Sequence, residues 1–235
     1  MVTMTDTACV NAYATELKNN FAAKWPGKSP QDRATFLHDA LTNVHRSVNM
    51  PVTGLDVKGL PPGVLGQFDF QPWAIVISND LFSDSRGVVD ARSDHFVDLA
   101  ETFYHEGRHA EQWWHMARFD AIQPKKNSTG QNVKMTAPDL VARLFIKESV
   151  CTTALGDVMG GSDPILALTK RWFTSVYGDS GREVTLQALS LSRGNNNKVD
   201  LAEFHNRTHQ AYSGGLPEEE DAWGIQVPVR AAMHS

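Results

Sequence analysis

The stretch 93–119 constrains this chain more than any other. Phe96, Leu99, Ala100, Phe103, Gly107, Ala110 and Trp114 recur at three- and four-residue spacing, the signature of a helix with one apolar stripe. Ser93 or Asp94 suits its N-terminal cap. Whatever else the chain forms has to pack against that stripe.

The flanking segments supply the partners. Residues 5–25 carry Val10, Tyr13, Ala14, Leu17 and Phe21 at helical spacing, and Pro26-Gly27 stops the run. A second helix opens at Ser29-Pro30 and presents Phe36, Leu37, Leu41, Val44 and Val48. After Met50 the chain turns rich in Gly, Pro and β-branched residues, which predicts short strands at 55–57, 64–70 and 73–77 with a hairpin about Phe70-Gln71-Pro72. Residues 123–135 read as a long polar loop. Thr136-Ala137-Pro138 opens another helix, with Leu140, Leu144, Phe145 and Val150 inward. Residues 164–177 are helical, 192–198 form a loop, and 199–212 and 217–225 are helical again. The last helix starts at Pro217 with three glutamates in its first turn, as the helix dipole favours. The expectation is one α+β domain over 1–235, mainly helical with a small sheet next to the 93–119 helix: a helical part at 1–50, then sheet, central helix and C-terminal helices at 51–235.

With 41% hydrophobic and 21% charged residues, the chain has folded rather than disordered composition. A chain of 235 residues buries roughly 70–75% of its unfolded surface, so it needs neither disulfide nor metal to fold. A net charge of −5 without a basic patch argues against nucleic acid or anionic membrane as partner. No apolar run approaches the ~18–20 residues of a membrane span. The N-terminus has no classical signal peptide, which implies synthesis in the cytoplasm and, if the protein leaves the cell, a dedicated secretion system. Cys9 and Cys151 form no CxxC pair and read as buried thiols.

The nine histidines are the odd entry in the composition. Two of them belong to His105-Glu106-Gly107-Arg108-His109, an HExxH motif inside the central helix and off its apolar stripe. Residues four apart share a helix face, so both imidazoles can reach one tetrahedral zinc ion. Glu106 is rotated ~100° from His105 and can act as general base without binding the metal. Gly107 permits close approach of a bulky neighbour, such as a tryptophan. A third ligand has several candidates, among them Glu148 and Glu219, while Glu101, one turn before His105, suits an orienting role. His205 and His209 form a second pair at the same spacing, without an acid after the first histidine.

The segments HEGRHAEQWW, WFTSVYGDSG and LPEEEDAWGIQ together resemble bacterial zincin-type metallopeptidase domains of the Glu-ligand kind, over about residues 95–226. Many such domains are toxins or effectors. The resemblance implies a third ligand in an E-x-x-A pattern, which here is Glu219 to Ala222; Glu220, Asp221 and Glu148 remain alternatives. Zincins also use a tyrosine or histidine to stabilise the oxyanion. Tyr104, Tyr177 and Tyr212 are available, and Tyr212, before Gly214-Gly215, is the preferred one. Arg108 and Gln112 are expected to support the site or touch substrate. The strand ending near Ile77 is expected to be the edge on which extended substrate lies.

The expected activity is therefore zinc-dependent peptide-bond hydrolysis, with Zn2+ on His105, His109 and Glu219 and with Glu106 as base. Expected partners are a protein or peptide substrate, peptidoglycan peptide in a cell-wall amidase variant, and an immunity or inhibitor protein. A non-catalytic binding module on the same scaffold is the reading from another class.

Overall fold

The central helix, α3, runs over Asp94–Asp120 in a computed structural model that describes residues 2–61, 63–82, 88–178 and 216–235. Its 27 residues span about 40 Å. Burial exceeds what a single apolar stripe implies: on α3, nearly every side chain from Leu99 to Arg118 is buried, His105 and His109 included. Helices and strands from both ends of the chain pack around it, so it has no solvated face along that stretch.

Two N-terminal helices cover one side. α1 (Thr7–Lys24) packs on α2 (Pro30–Ser47), and α2 packs on α3. Ser29 caps α2 by accepting the Asp32 backbone N–H at 3.1 Å, and Pro30 sits in the first turn where its missing donor costs nothing.

Among the described residues the sheet has three strands, β1 (Gly54–Lys58), β2 (Gly66–Asp69) and β3 (Ala74–Ser78), in the order β1-β3-β2. β3 pairs parallel to β1 and antiparallel to β2, and Asp69 faces Ala74 across the expected hairpin. The strand ending near Ile77 is thus the central strand, not the edge. Its Ile75 to Ser78 are all buried, as suits a strand covered on both sides. Among the described residues the edge strand that lies against α3 is β2.

Further differences from the sequence expectation have local causes. The 123–135 loop contains a small hairpin, β4 (Lys125–Lys126) with β5 (Asn132–Val133). Its turn is held by the Asn127 side chain, which accepts the N–H groups of Thr129 and Gln131 at 3.0 and 2.9 Å. The helix opened by Thr136 stops after α4 (Ala137–Leu144), because Phe145 adopts φ 58° and terminates it. Phe145 is consequently 61% exposed rather than inward. Val150 belongs to a separate helix, α5 (Glu148–Gly156). Then come α6 (Leu166–Tyr177), α7 (Pro217–Gly224) and α8 (Gln226–His234). No element was expected over α8, which packs on α1 and α3 through Val229 and Met233.

The main core runs from Met4 to Met233, and a smaller cluster joins Met116 to Met159, Ile165, Trp172 and Val176. Cys9 and Cys151 are free and buried. Among the described residues no helix is long and apolar enough to cross a membrane. The expected loop at 192–198 and helix at 199–212, with His205, His209 and Tyr212, lie outside the described residues.

Candidate metal centre

α3 places His105 and His109 one turn apart with their Nε2 atoms 3.1 Å from each other. α7 brings Glu219 across from the far end of the chain. Its Oε1 lies 3.6 Å from His109 Nε2 and its Oε2 4.0 Å from His105 Nε2. Donors held at about 2.0–2.2 Å by one tetrahedral ion lie ~3.3–3.5 Å from each other. The nearest donor pairs here, at 3.1, 3.6 and 4.0 Å, bracket and slightly exceed that spacing, so these three residues could hold a metal ion after a small closure.

Helical rotation explains why Glu219, among the acids considered, faces the histidines. Pro217 starts α7, and successive residues then step ~100° around it. Glu218 is buried, Glu219 half-buried and Glu220 exposed. Glu148 is exposed on α5, outside this cluster. Asp221 turns toward Arg108 instead, accepting from its Nε at 2.7 Å. Arg108 is itself buried, ion-paired with Glu111 and laid over the Trp172 ring at 5.1 Å. Gln112 completes the connection. Its Oε1 lies 2.9 Å from His109 Nδ1, while its Nε2 donates to the Glu218 backbone carbonyl and to Asp221 Oδ2, both at 2.8 Å. Gln112 thus touches the cluster through His109, and Arg108 reaches it only through Asp221 and Gln112.

Glu106 contributes no atom to the donor cluster. It is buried between α3 and β2, where the Phe68 backbone N–H donates to its carboxylate. Gly66 makes that approach possible: a Cβ there would stand 2.9 Å from Ile77 Cδ1, 3.0 Å from Thr102 Cγ2 and 3.3 Å from Glu106 Cγ. Neither Gly66 nor Phe68 was singled out in the sequence. A glycine opening a strand is the one signal that could have pointed to a close approach.

Electrostatics separates the three titratable groups on α3. Burial, aided by the charge of His109, lowers His105 to about 4, against weaker opposing pulls from Glu219 and the Ala222 backbone. Burial also disfavours charge on His109, but the Glu219 carboxylate more than offsets it, with help from Glu106 and Gln112, and raises His109 to about 9. Burial raises Glu106 to about 7; Glu219 acts in the same direction, and His109 and the Phe68 N–H oppose.

Aromatic rings flank the cluster. The Trp223 ring stands 4.9 Å from His105 and is 57% exposed. On the other side Trp113 stands 6.1 Å from His109 and stacks on Phe70 at 5.9 Å.

Other expectations resolve differently. The bulky neighbours admitted by Gly107 are Leu41 and His45 of α2, not a tryptophan. Glu101 does not orient a ligand; it pairs with Arg230 of α8 at 2.8 and 2.7 Å. Tyr104 donates its hydroxyl to the Met4 carbonyl at 2.7 Å and Tyr177 donates to the Leu144 carbonyl at 2.9 Å, so both hydroxyls are engaged with backbone. Compared with protein-family models, with curated proteins and with solved structures, the chain matches none.

Proposed function

We propose that the protein is a zincin-type zinc metallopeptidase, hydrolysing peptide bonds with water. The observation that carries this reading is Glu106. A buried carboxylate follows the first histidine of a three-donor cluster, feels the charges of His109 and Glu219, and remains outside the donor set. A structural metal site would have no use for it.

His105, His109 and Glu219 would hold the metal. Two imidazoles and one carboxylate are the donor set of catalytic zinc sites that keep a position open for water. Zinc bound there supplies Lewis acidity, which acidifies a water and polarises the scissile carbonyl. Glu106 takes a proton from the attacking water and returns it to the leaving amine. Among the described residues β2 has β3 as its sole neighbour in the sheet, so an extended peptide can align along its other edge. Trp223, half exposed beside His105, offers that peptide an apolar contact. The oxyanion role of Tyr212 rests on its sequence position. The toxin or effector setting, with export and an immunity partner, rests on the resemblance over 95–226.

The test is metal content and hydrolysis of the wild type beside Glu106→Gln. The wild type is expected to carry zinc and cleave peptides; the variant keeps the metal and loses cleavage. Wild-type protein that carries no metal and takes up none from added zinc would overturn the reading. Mass spectrometry of cleaved peptides against released muropeptides separates a peptidase from a cell-wall amidase.

A further inference from the structure

The bonds around Gln112 fix more than its own position. Its Nε2 end meets two groups, the Glu218 backbone carbonyl and Asp221 Oδ2. A carbonyl has no proton to give, and Asp221 Oδ2 already accepts the Arg108 Nε–H at 2.7 Å, so it too meets Gln112 as an acceptor. Two acceptors at one end require that end to be the NH2 group. The other end is then the amide oxygen, which itself can only accept. It faces His109 Nδ1 at 2.9 Å, so Nδ1 must carry a hydrogen. In the neutral ring Nε2 is then the nitrogen with the free lone pair, and Nε2 is the atom that faces His105 and Glu219.

We propose that Gln112 and Asp221 are positioning residues that hold His109 in its Nδ1–H tautomer and thereby make Nε2 a ready metal donor. The proposal builds on the metal reading above, and it assigns Asp221 a role other than that of a ligand. Each link is buried or half-buried. Gln112 is 0% exposed and Arg108 1%, so water cannot substitute for a lost partner without rearrangement. Arg108 is in turn locked by Glu111, whose carboxylate also accepts the Met4 backbone N–H at 3.0 and 3.1 Å. The orientation of one amide is therefore anchored in the core. A ring without such a partner can place its proton on either nitrogen, and a proton on Nε2 must leave before a cation binds.

Two readouts test this. Zinc affinity is measured by competition with a chromophoric chelator for wild type, Gln112→Met, Asp221→Asn and Glu219→Gln. The His109 tautomer is read separately from imidazole 15N shifts of the metal-free proteins, followed over a pH series to the plateau at which the ring is neutral. Gln112→Met keeps the side-chain shape and removes the acceptor; it is expected to weaken zinc about 10–100-fold, as loss of an outer hydrogen-bond partner does, and to move the proton toward Nε2. Asp221→Asn still offers an oxygen to Arg108 and Gln112, so both the tautomer and the affinity stay near wild type. Glu219→Gln loses most of the affinity with the tautomer unchanged.

Asp221→Asn weakening zinc as much as Glu219→Gln would make Asp221 a ligand and overturn the proposal. So would Gln112→Met with an unchanged tautomer, whatever its affinity. If Gln112→Met does not fold, Asp221→Leu at the half-buried position releases one of the two restraints and must shift the tautomer in the same direction. If the wild type binds no zinc, the metal reading fails, and the spectrum alone decides: an Nδ1–H ring sustains the relay and an Nε2–H ring ends it.

Discussion

Replacing Gly107 by alanine sets helix propensity against packing, and the packing is expected to win. In an exposed helix interior Gly→Ala stabilises by about 0.8–1.0 kcal/mol. At position 107 the added Cβ would stand 2.7 Å from Leu41 Cδ1, 3.0 Å from Leu41 Cδ2 and 3.1 Å from His45 Nε2. Relaxed carbon contacts lie at about 3.5–4.0 Å, so α2 or its side chains must move by several tenths of an ångström to an ångström. Leu41 and His45 are both 0% exposed, and neither can swing into solvent. Overpacking a closed core costs about 1–3 kcal/mol, and two crowded neighbours favour the upper half of that range. The net expectation is a loss of about 1–2 kcal/mol, read as a lower urea midpoint with unchanged slope.

A second background isolates the cause. Leu41→Ala removes both crowded methyl groups and by itself costs about 2–5 kcal/mol. With the two closest contacts removed and only His45 Nε2 at 3.1 Å left to give way, the same substitution should stabilise the Leu41→Ala protein by up to about 1 kcal/mol. The reversal of sign amounts to a coupling of up to about 3 kcal/mol between residues in direct contact. Gly107→Ala that stabilises the wild type by about the full propensity value, with no coupling to Leu41, would refute the packing argument.

Several other outcomes can be measured on the same protein. Burial, aided by His38 and opposed by Glu111, lowers His45 from 6.5 to about 3; the unfolded chain binds a proton there between those values and the native protein does not. Stability contributed by neutral His45 is therefore complete above pH 6.5 and falls on acidification, by about 2 kcal/mol at pH 5, and urea titrations should show that difference missing in His45→Met. Glu219→Ala should lower zinc affinity strongly while melting near the metal-free wild type; unchanged zinc content would move the third-ligand role to another acid. Chelation should leave the far-UV spectrum intact and reduce Tm only by the linkage of a bound ligand, since the core from Met4 to Met233 is made of apolar side chains and includes none of the three donors. Arg230→Met strips the buried Glu101 of two charged hydrogen bonds, but Arg230 is itself partly exposed and solvent screens the pair, so the loss should be about 1 kcal/mol by urea denaturation.

What could be read from the sequence was what depends on near neighbours. The 93–119 helix follows from a three-and-four spacing, and the facing of His105 and His109 follows from one turn of that helix. The hairpin about Phe70-Gln71-Pro72 is equally local. Phe145 shows where this fails: a helical stripe continues through it, yet the residue takes a left-handed conformation and leaves the core. The 123–135 hairpin depends on one asparagine side chain folding back on its own loop, which composition does not reveal. Partners distant along the chain were out of reach. Gln112 and Asp221 are 109 positions apart, and nothing in either segment signals that they bond. Glu219 was preferred through the resemblance, since spacing alone left it among several acids.

The burial of α3 bears most directly on the two histidines. A helix with a single apolar stripe should leave Arg108, Gln112 and His115 in water, and the histidine pair would then be an ordinary solvated one. Instead Arg108, Glu111, Gln112, His115 and Arg118 are all buried alongside His105 and His109. Burying charge is expensive, and well-packed apolar residues in its place are often neutral or stabilising. A fold that needed only stability would gain nothing from such an interior. These residues also do not pair at random: Arg108 takes Asp221 and Glu111, and Gln112 takes Asp221 and His109, so one line of bonds runs from the core to the ring nitrogen behind the donor cluster. That direction argues that this part of the polar interior of α3 is maintained to orient His109. It also explains why the site can be rigid at its base while Trp223 and Glu219, on α7, remain partly open to solvent.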